Sequence, residues 1–145
     1  MHDPLMDSRN DEQIRQADQL FLVALESLDA EKITECFSRS DEASLLFPGT
    51  DLARGPRAIR SAWEEIAQHT RFLRTMMKPV TVMRVGPLGW SFLSGSLVST
   101  HGDETLTVDV YMTNIYRLES GGWKLLHHHS APAPHQPSFL EQRLN

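Results

Sequence analysis

The 145 residues are predicted to form one α+β domain, with N-terminal helices packed on a strongly curved antiparallel sheet. Three observations lead there. As far as Thr70, apolar residues recur at spacings of three and four; beyond it, β-branched and aromatic residues take over. Breakers then fall at hairpin intervals, at Gly86-Pro87-Leu88-Gly89, His101-Gly102-Asp103 and Ser120-Gly121-Gly122.

The first helix is read from Asp11 to Leu28, where Ile14, Ala17, Phe21, Ala24, Leu25 and Leu28 form one apolar stripe behind an N-cap at Ser8 or Asn10. Asp29 restarts a short helix with Ile33, Cys36 and Phe37 on one side, which stops in the polar Ser38 to Glu42. Ala43 to Phe47 is a short strand closed by the turn Pro48-Gly49-Thr50-Asp51. Gly55-Pro56 supplies the start of a third helix, whose apolar set is Ile59, Ala62, Trp63, Ile66 and Ala67. Phe72 to Val85 is one strand or a bent pair interrupted by Pro79, and Trp90 to Thr100 follows the next turn. Thr105 to Leu118 alternates, with Leu106, Val108, Val110, Met112, Tyr116 and Leu118 on one face. Trp123 to Ala131 is the last strand.

Composition narrows the function. With 14 Lys+Arg against 19 Asp+Glu, the charge of -5 leaves no basic stripe to neutralise phosphates, so no nucleic-acid partner is expected. No run approaches the roughly 18 apolar residues that span a bilayer, and the N-terminus lacks the cationic start and apolar run of a secretory signal. The single Cys36 forms no internal disulfide and suits a reducing compartment, so no membrane partner and a cytoplasmic location are expected. The domain is taken as 11–131, between a flexible 1–10 and a tail, 132–145, that holds Pro132, Pro134 and Pro137.

The candidate site begins with Asn114, the one polar residue on the apolar face of Thr105 to Leu118, since a buried amide needs a partner or a purpose. What lies opposite depends on the last turn. A two-residue turn at Ser120-Gly121 sets Tyr116 against Leu125 and Asn114 against His127, and it buries Trp123. A three-residue turn with a glycine bulge brings Lys124, Leu126, His128 and Ser130 inward instead. The first is preferred because of Trp123. His127 and His129, two apart on one strand face, are then the candidate acid–base groups, with His128 on the other side. Trp63 is at core spacing and also able to wall a pocket; Trp90, Phe92, Ser94 and Ser96 share a strand face and are read as a further wall. No third ligand stands at a metal spacing beside the two histidines, and phosphate-loop, nucleophile-elbow and His-Glu-x-x-His motifs do not occur, so no metal and no cofactor is expected.

The stretch Gly121-Gly122-Trp123-Lys124-Leu125-Leu126-His127-His128-His129-Ser130, preceded by Asn114-Ile115-Tyr116-Arg117, resembles the last hairpin of the SnoaL-like and calmodulin-dependent-kinase association-domain branch of the NTF2-like superfamily. Gly55-Pro56-Arg57-Ala58-Ile59 with Trp63 is similar to that family's third-helix start. The resemblance implies a cone-shaped fold with an apolar pocket in its mouth, and dimers formed through the outer sheet face. Its pocket residues match Ser96, Asn114 and Ser130, where the association domains carry arginines. The expectation is therefore a homodimer that binds a small molecule through Asn114, Tyr116, Trp63, Trp90, Phe92, Ser96 and Ser130. The alternatives are an isomerase, cyclase or dehydratase using a pocket histidine, and an assembly domain joined around Tyr111 and Ile115.

Overall fold

The computed structural model describes residues 4–48 and 50–134. Helix α1 spans Pro4–Ser27 and α2 Ala30–Glu35; the short strands β1, Ser44–Leu46, and β2, Ala53–Arg54, precede α3, Pro56–His69. Four long strands follow: β3 Phe72–Val85, β4 Leu88–His101, β5 Glu104–Glu119 and β6 Gly122–Pro132. The α+β class and the element order agree with the sequence reading. The backbone is helical from Pro4, before the apolar stripe begins, so the expected flexible lead overlaps α1; the expected tail beyond Pro134 lies outside the described residues.

Local chemistry explains the breaks between helices. Leu28 closes α1 in the left-handed conformation at φ 57°. Asp29 then caps α2 by accepting from the amides of Glu31 and Lys32 at 2.9 and 3.4 Å. Gly55 at φ 85° turns the chain into Pro56, whose fixed φ suits the first position of α3.

All six strands form one sheet in the order β2-β1-β6-β5-β4-β3. The sheet is mixed, correcting the antiparallel expectation: β1 runs parallel to β6, with Leu45 opposite His128. Such a pairing needs a long connection, which the whole domain between them supplies. Gly86-Pro87, Gly102-Asp103 and Ser120-Gly121 are two-residue hairpin turns. Pro79 sits in β3 beside a bulge at Val80, tolerated because β3 is an edge strand. At Gly95 the strands β3 and β4 come so close that a Cβ would land on the Met76 carbonyl oxygen.

One face of this sheet packs under the helices. Phe21 and Leu25 of α1, Ile59 and Trp63 of α3, and Leu93, Val110, Met112 and Leu125 of the strands are all buried there. Phe21 meets Phe37 edge-on at 5.9 Å, and Phe47 meets Trp63 likewise at 4.9 Å.

Candidate functional site: a mouth cavity and a sealed polar network

A cavity of about 730 Å³ opens between α3, the loop joining β1 to β2, and the ends of β3, β4 and β5. Its walls are Leu73, Leu97, Val108 and Val110 of the sheet, Ala62 and Ile66 of α3, and Phe47 and Leu52 of the loop. The inward alternation of β5 and the amphipathic spacing of α3 put these side chains there. Polar side chains complete the lining. Thr70 donates to the Ile66 carbonyl at 2.7 Å, and His101 Nδ1 donates to the His69 carbonyl at 2.9 Å, with its Nε2 2.9 Å from Ser99 Oγ. Asp51 and Glu65 stand at the exposed rim.

Behind the cavity lies a second, buried polar site. Asp18 of α1 is 2% exposed, and its Oδ1 accepts three hydrogen bonds: from Ser91 Oγ at 2.7 Å, Asn114 Nδ2 at 2.9 Å and Tyr116 Oη at 2.5 Å. Donation to Asp18 fixes the Asn114 amide, so its carbonyl oxygen faces His128 Nδ1 at 2.6 Å. That nitrogen must carry the hydrogen. Burial, with the charges of His127 and His129 acting in the same direction, pushes His128 down to about 3, which keeps the ring neutral. Nε2 therefore accepts from Ser130 Oγ at 2.6 Å, and the tautomer is set by a carboxylate two residues away in the chain of bonds.

Burial also raises the Asp18 carboxyl above its ordinary range against the pull of its three donors, and burial beside Asp18 raises the Tyr116 phenol well above 10. Asp18 Oδ2 and Trp63 Nε1 have no hydrogen-bond partner among the described residues. Phe47 divides the two sites: it lines the cavity, and its ring packs 4.9 Å from Trp63 and 5.9 Å from His128.

The structure brings together Asn114, Tyr116 and Ser130, and seats Trp63 beside them through Phe47. It separates the rest. The two-residue turn is present and pairs Tyr116 with Leu125, but a bulge at Leu126 then sets Ile115 opposite His127 and Asn114 opposite His128. One inserted residue flips every later side chain, so the expected pairing of Asn114 with His127 is corrected to His128. His127 lies on the outer face, 2.7 Å from Ser44 Oγ, and His129 is exposed with its ring 6.0 Å from that of His127. Burial and the His129 charge lower the His127 pKa. Trp90, Phe92 and Ser96 are also on the outer face, not in a pocket wall: Ser91, Leu93 and Leu97 point inward instead. Phe92 stacks on Tyr111 at 5.4 Å, and Ser96 donates to Asp109 at 2.6 Å.

Asp18 was missed from the sequence. The signal was there, because Asp18 is four residues from both Ile14 and Leu22 and three from Phe21, in the middle of the buried stripe. Among the described residues no three His, Cys, Asp or Glu side chains converge to hold a metal ion.

Comparison with known proteins fits this architecture. No curated protein matches by sequence. Among solved structures, a candidate dehydratase of the NTF2-like family from Streptomyces avermitilis superposes with a TM-score of 0.78 at 23% identity, covering 87% of this chain and 97% of that one. An NTF2-like superfamily protein from Salmonella enterica serovar Typhimurium gives 0.80 at 16% identity, over 91% and 97%. A candidate calcium/calmodulin-dependent protein kinase type II association domain from Thiobacillus denitrificans gives 0.69 at 24%, over 81% and 92%. The SnoaL-like domain family matches residues 14–134. With the family model covering nearly the whole described chain, and the fold in agreement, the chain belongs to the SnoaL-like domain family.

Proposed function

We propose that this protein binds a small apolar or amphipathic molecule in the mouth cavity. The observation that carries the reading is the cavity itself, about 730 Å³ walled mainly by Leu, Val, Ile, Ala and Phe, with hydroxyl, histidine and carboxyl side chains among them. The neutral dye N-phenyl-1-naphthylamine tests it by fluorescence. The dye should brighten with the full chain and fail to do so with Ala62→Trp, whose indole fills the cavity from α3, while the circular dichroism of the variant stays native. An equal response from both proteins would refute the reading.

A second reading, proton-transfer catalysis of the isomerase or dehydratase kind, is favoured by Asp18, a buried carboxyl with one oxygen held by three donors and the other without a partner among the described residues. The dehydratase among the structural neighbours supports it by analogy of fold. In this reading Asp18 and the neutral His128 take the acid–base roles first expected of His127 and His129, and a substrate in the mouth reaches His128 past Phe47, whose ring packs 5.9 Å from it. Phe47→Ala should then expose His128 to diethyl pyrocarbonate, which should leave the fully buried His128 of the wild type unmodified. Continued protection in the variant would count against this reading.

We also propose a homodimer joined through the outer sheet face around Trp90, Phe92, Tyr111 and Ile115, and a cytoplasmic location. No helix among the described residues is long and apolar enough to cross a membrane.

A further inference from the structure

We propose that the mouth cavity selects an apolar molecule with a cationic ammonium head group over an anionic molecule of the same size. This inference rests on the binding role proposed above for the same cavity, and it follows from where the hydrogens on its walls are already committed.

Four hydroxyl side chains line the cavity, Thr50, Ser61, Thr70 and Ser99. Thr50 Oγ1 donates to the Phe47 carbonyl at 2.9 Å and Thr70 Oγ1 to the Ile66 carbonyl at 2.7 Å. His101 Nδ1 faces a carbonyl, which only accepts, so that nitrogen carries its hydrogen. In the neutral ring Nε2 is then the acceptor, and Ser99 Oγ must donate to it. Each of these groups has spent its donor; Thr50 Oγ1 also accepts from the Phe47 amide at 3.2 Å and His101 Nε2 from Ser99, so the acceptor capacity left over is on the hydroxyl oxygens of Thr50, Thr70 and Ser99. The two side-chain donors left over, Ser61 and His69, are on the exposed edge of α3.

Charge points the same way. Among the described residues no Lys or Arg lines the cavity, whereas Asp51 and Glu65 place two carboxyl side chains at its rim. Arg71, next to the lining Thr70, is exposed, donates to the Gly102 carbonyl at 3.1 Å and lies 4.0 Å from Asp103. Arg54 and Arg57 are exposed and form no part of the wall. An anionic head group entering here would find acceptors, repulsion and few donors, and burying an unpaired charge is costly. An ammonium would find acceptors for its N–H groups and two carboxyls, above an apolar floor for its chain.

The test is competition against N-phenyl-1-naphthylamine on the full chain, with nonylamine and nonanoate as a pair matched in chain length. Nonylamine should displace the dye at a concentration about tenfold lower than nonanoate, because each rim charge attracts one head group and repels the other by the modest amount of an exposed pair. Asp51→Asn combined with Glu65→Gln, both on exposed positions, should shrink that gap to about threefold or less, and added salt should shrink it in the wild type. Equal displacement by the two compounds, with dye binding intact, overturns the charge selection alone. A gap unchanged in the double variant overturns the role of the rim. Failure of the wild type to bind the dye overturns the cavity reading with it.

Discussion

Replacing Asn114 with leucine, close in volume but unable to hydrogen-bond, removes the hinge of the buried network. Two bonds go at once, the 2.9 Å donation to Asp18 and the 2.6 Å acceptance from His128. His128 Nδ1 keeps its hydrogen in a fully buried site with no acceptor, a loss of about 1–3 kcal/mol. Asp18 Oδ1 retains two of its three donors, and the missing one adds about 1 kcal/mol. The sum, about 2–4 kcal/mol, corresponds to a melting temperature lower by about 10 °C in a chain of this size. Calorimetry measures that drop, and dye titration below the new melting point measures binding. Because Asn114 does not line the cavity, dye affinity should stay within about twofold of wild type. A melting temperature within about 2 °C of wild type would refute the network's structural weight, and lost dye binding in folded protein would refute its separation from the cavity.

Further expectations concern pH, the last turn and assembly. His128 has a folded value of about 3 against an ordinary 6.5, so unfolding takes up a proton between those limits. The stability it contributes is fully present above 6.5 and is lost as pH falls toward 3, by about 1.4 kcal/mol per pH unit at the steepest. Urea melts from neutral pH downward should show that slope in the wild type and its loss in His128→Gln; identical slopes would contradict it. Gly122 sits at φ 109° whereas Gly121 does not need a positive φ, so Gly122→Val should destabilise by about 1–2 kcal/mol and Gly121→Ala by little, as thermal melts will show. In sedimentation, the wild type should run at twice the chain mass and Phe92→Arg as a monomer; a monomeric wild type would remove the dimer proposal.

Apart from the start of α1, read at Asp11 behind Ser8 or Asn10 but found at Pro4, the sequence reading of the helices and hairpins matches the structure because each rests on local chemistry: the stripe of α1, the restart at Asp29, Gly55-Pro56 and three glycine turns. What failed was the facing of two strands, and for different reasons. On β4 the larger residues Trp90 and Phe92 point outward and the small Ser91 inward, so apparent hydrophobicity favours the wrong face. Ser91 is inside to donate to Asp18, a helix residue that no strand periodicity reveals. On β6 the turn was legible, but the bulge at Leu126 follows from long-range packing: it brings His128 between Asn114 and Ser130, against Phe21 at 4.8 Å. The parallel pairing of β1 with β6 likewise joins segments about as far apart as the domain allows, beyond the reach of any local pattern.

The central claim is that the ligand site is the mouth cavity and that the Asp18–Asn114–His128 network stands apart from it behind Phe47. Methyl-labelled NMR of the wild type during titration with N-phenyl-1-naphthylamine tests this directly. The account predicts shifts in the methyls of Leu73, Leu97, Val108 and Val110, which line the cavity, and unchanged signals from the core residues Leu25, Leu45 and Leu125, which do not. Shifts concentrated on Leu25, Leu45 and Leu125, with the cavity methyls silent, would contradict it.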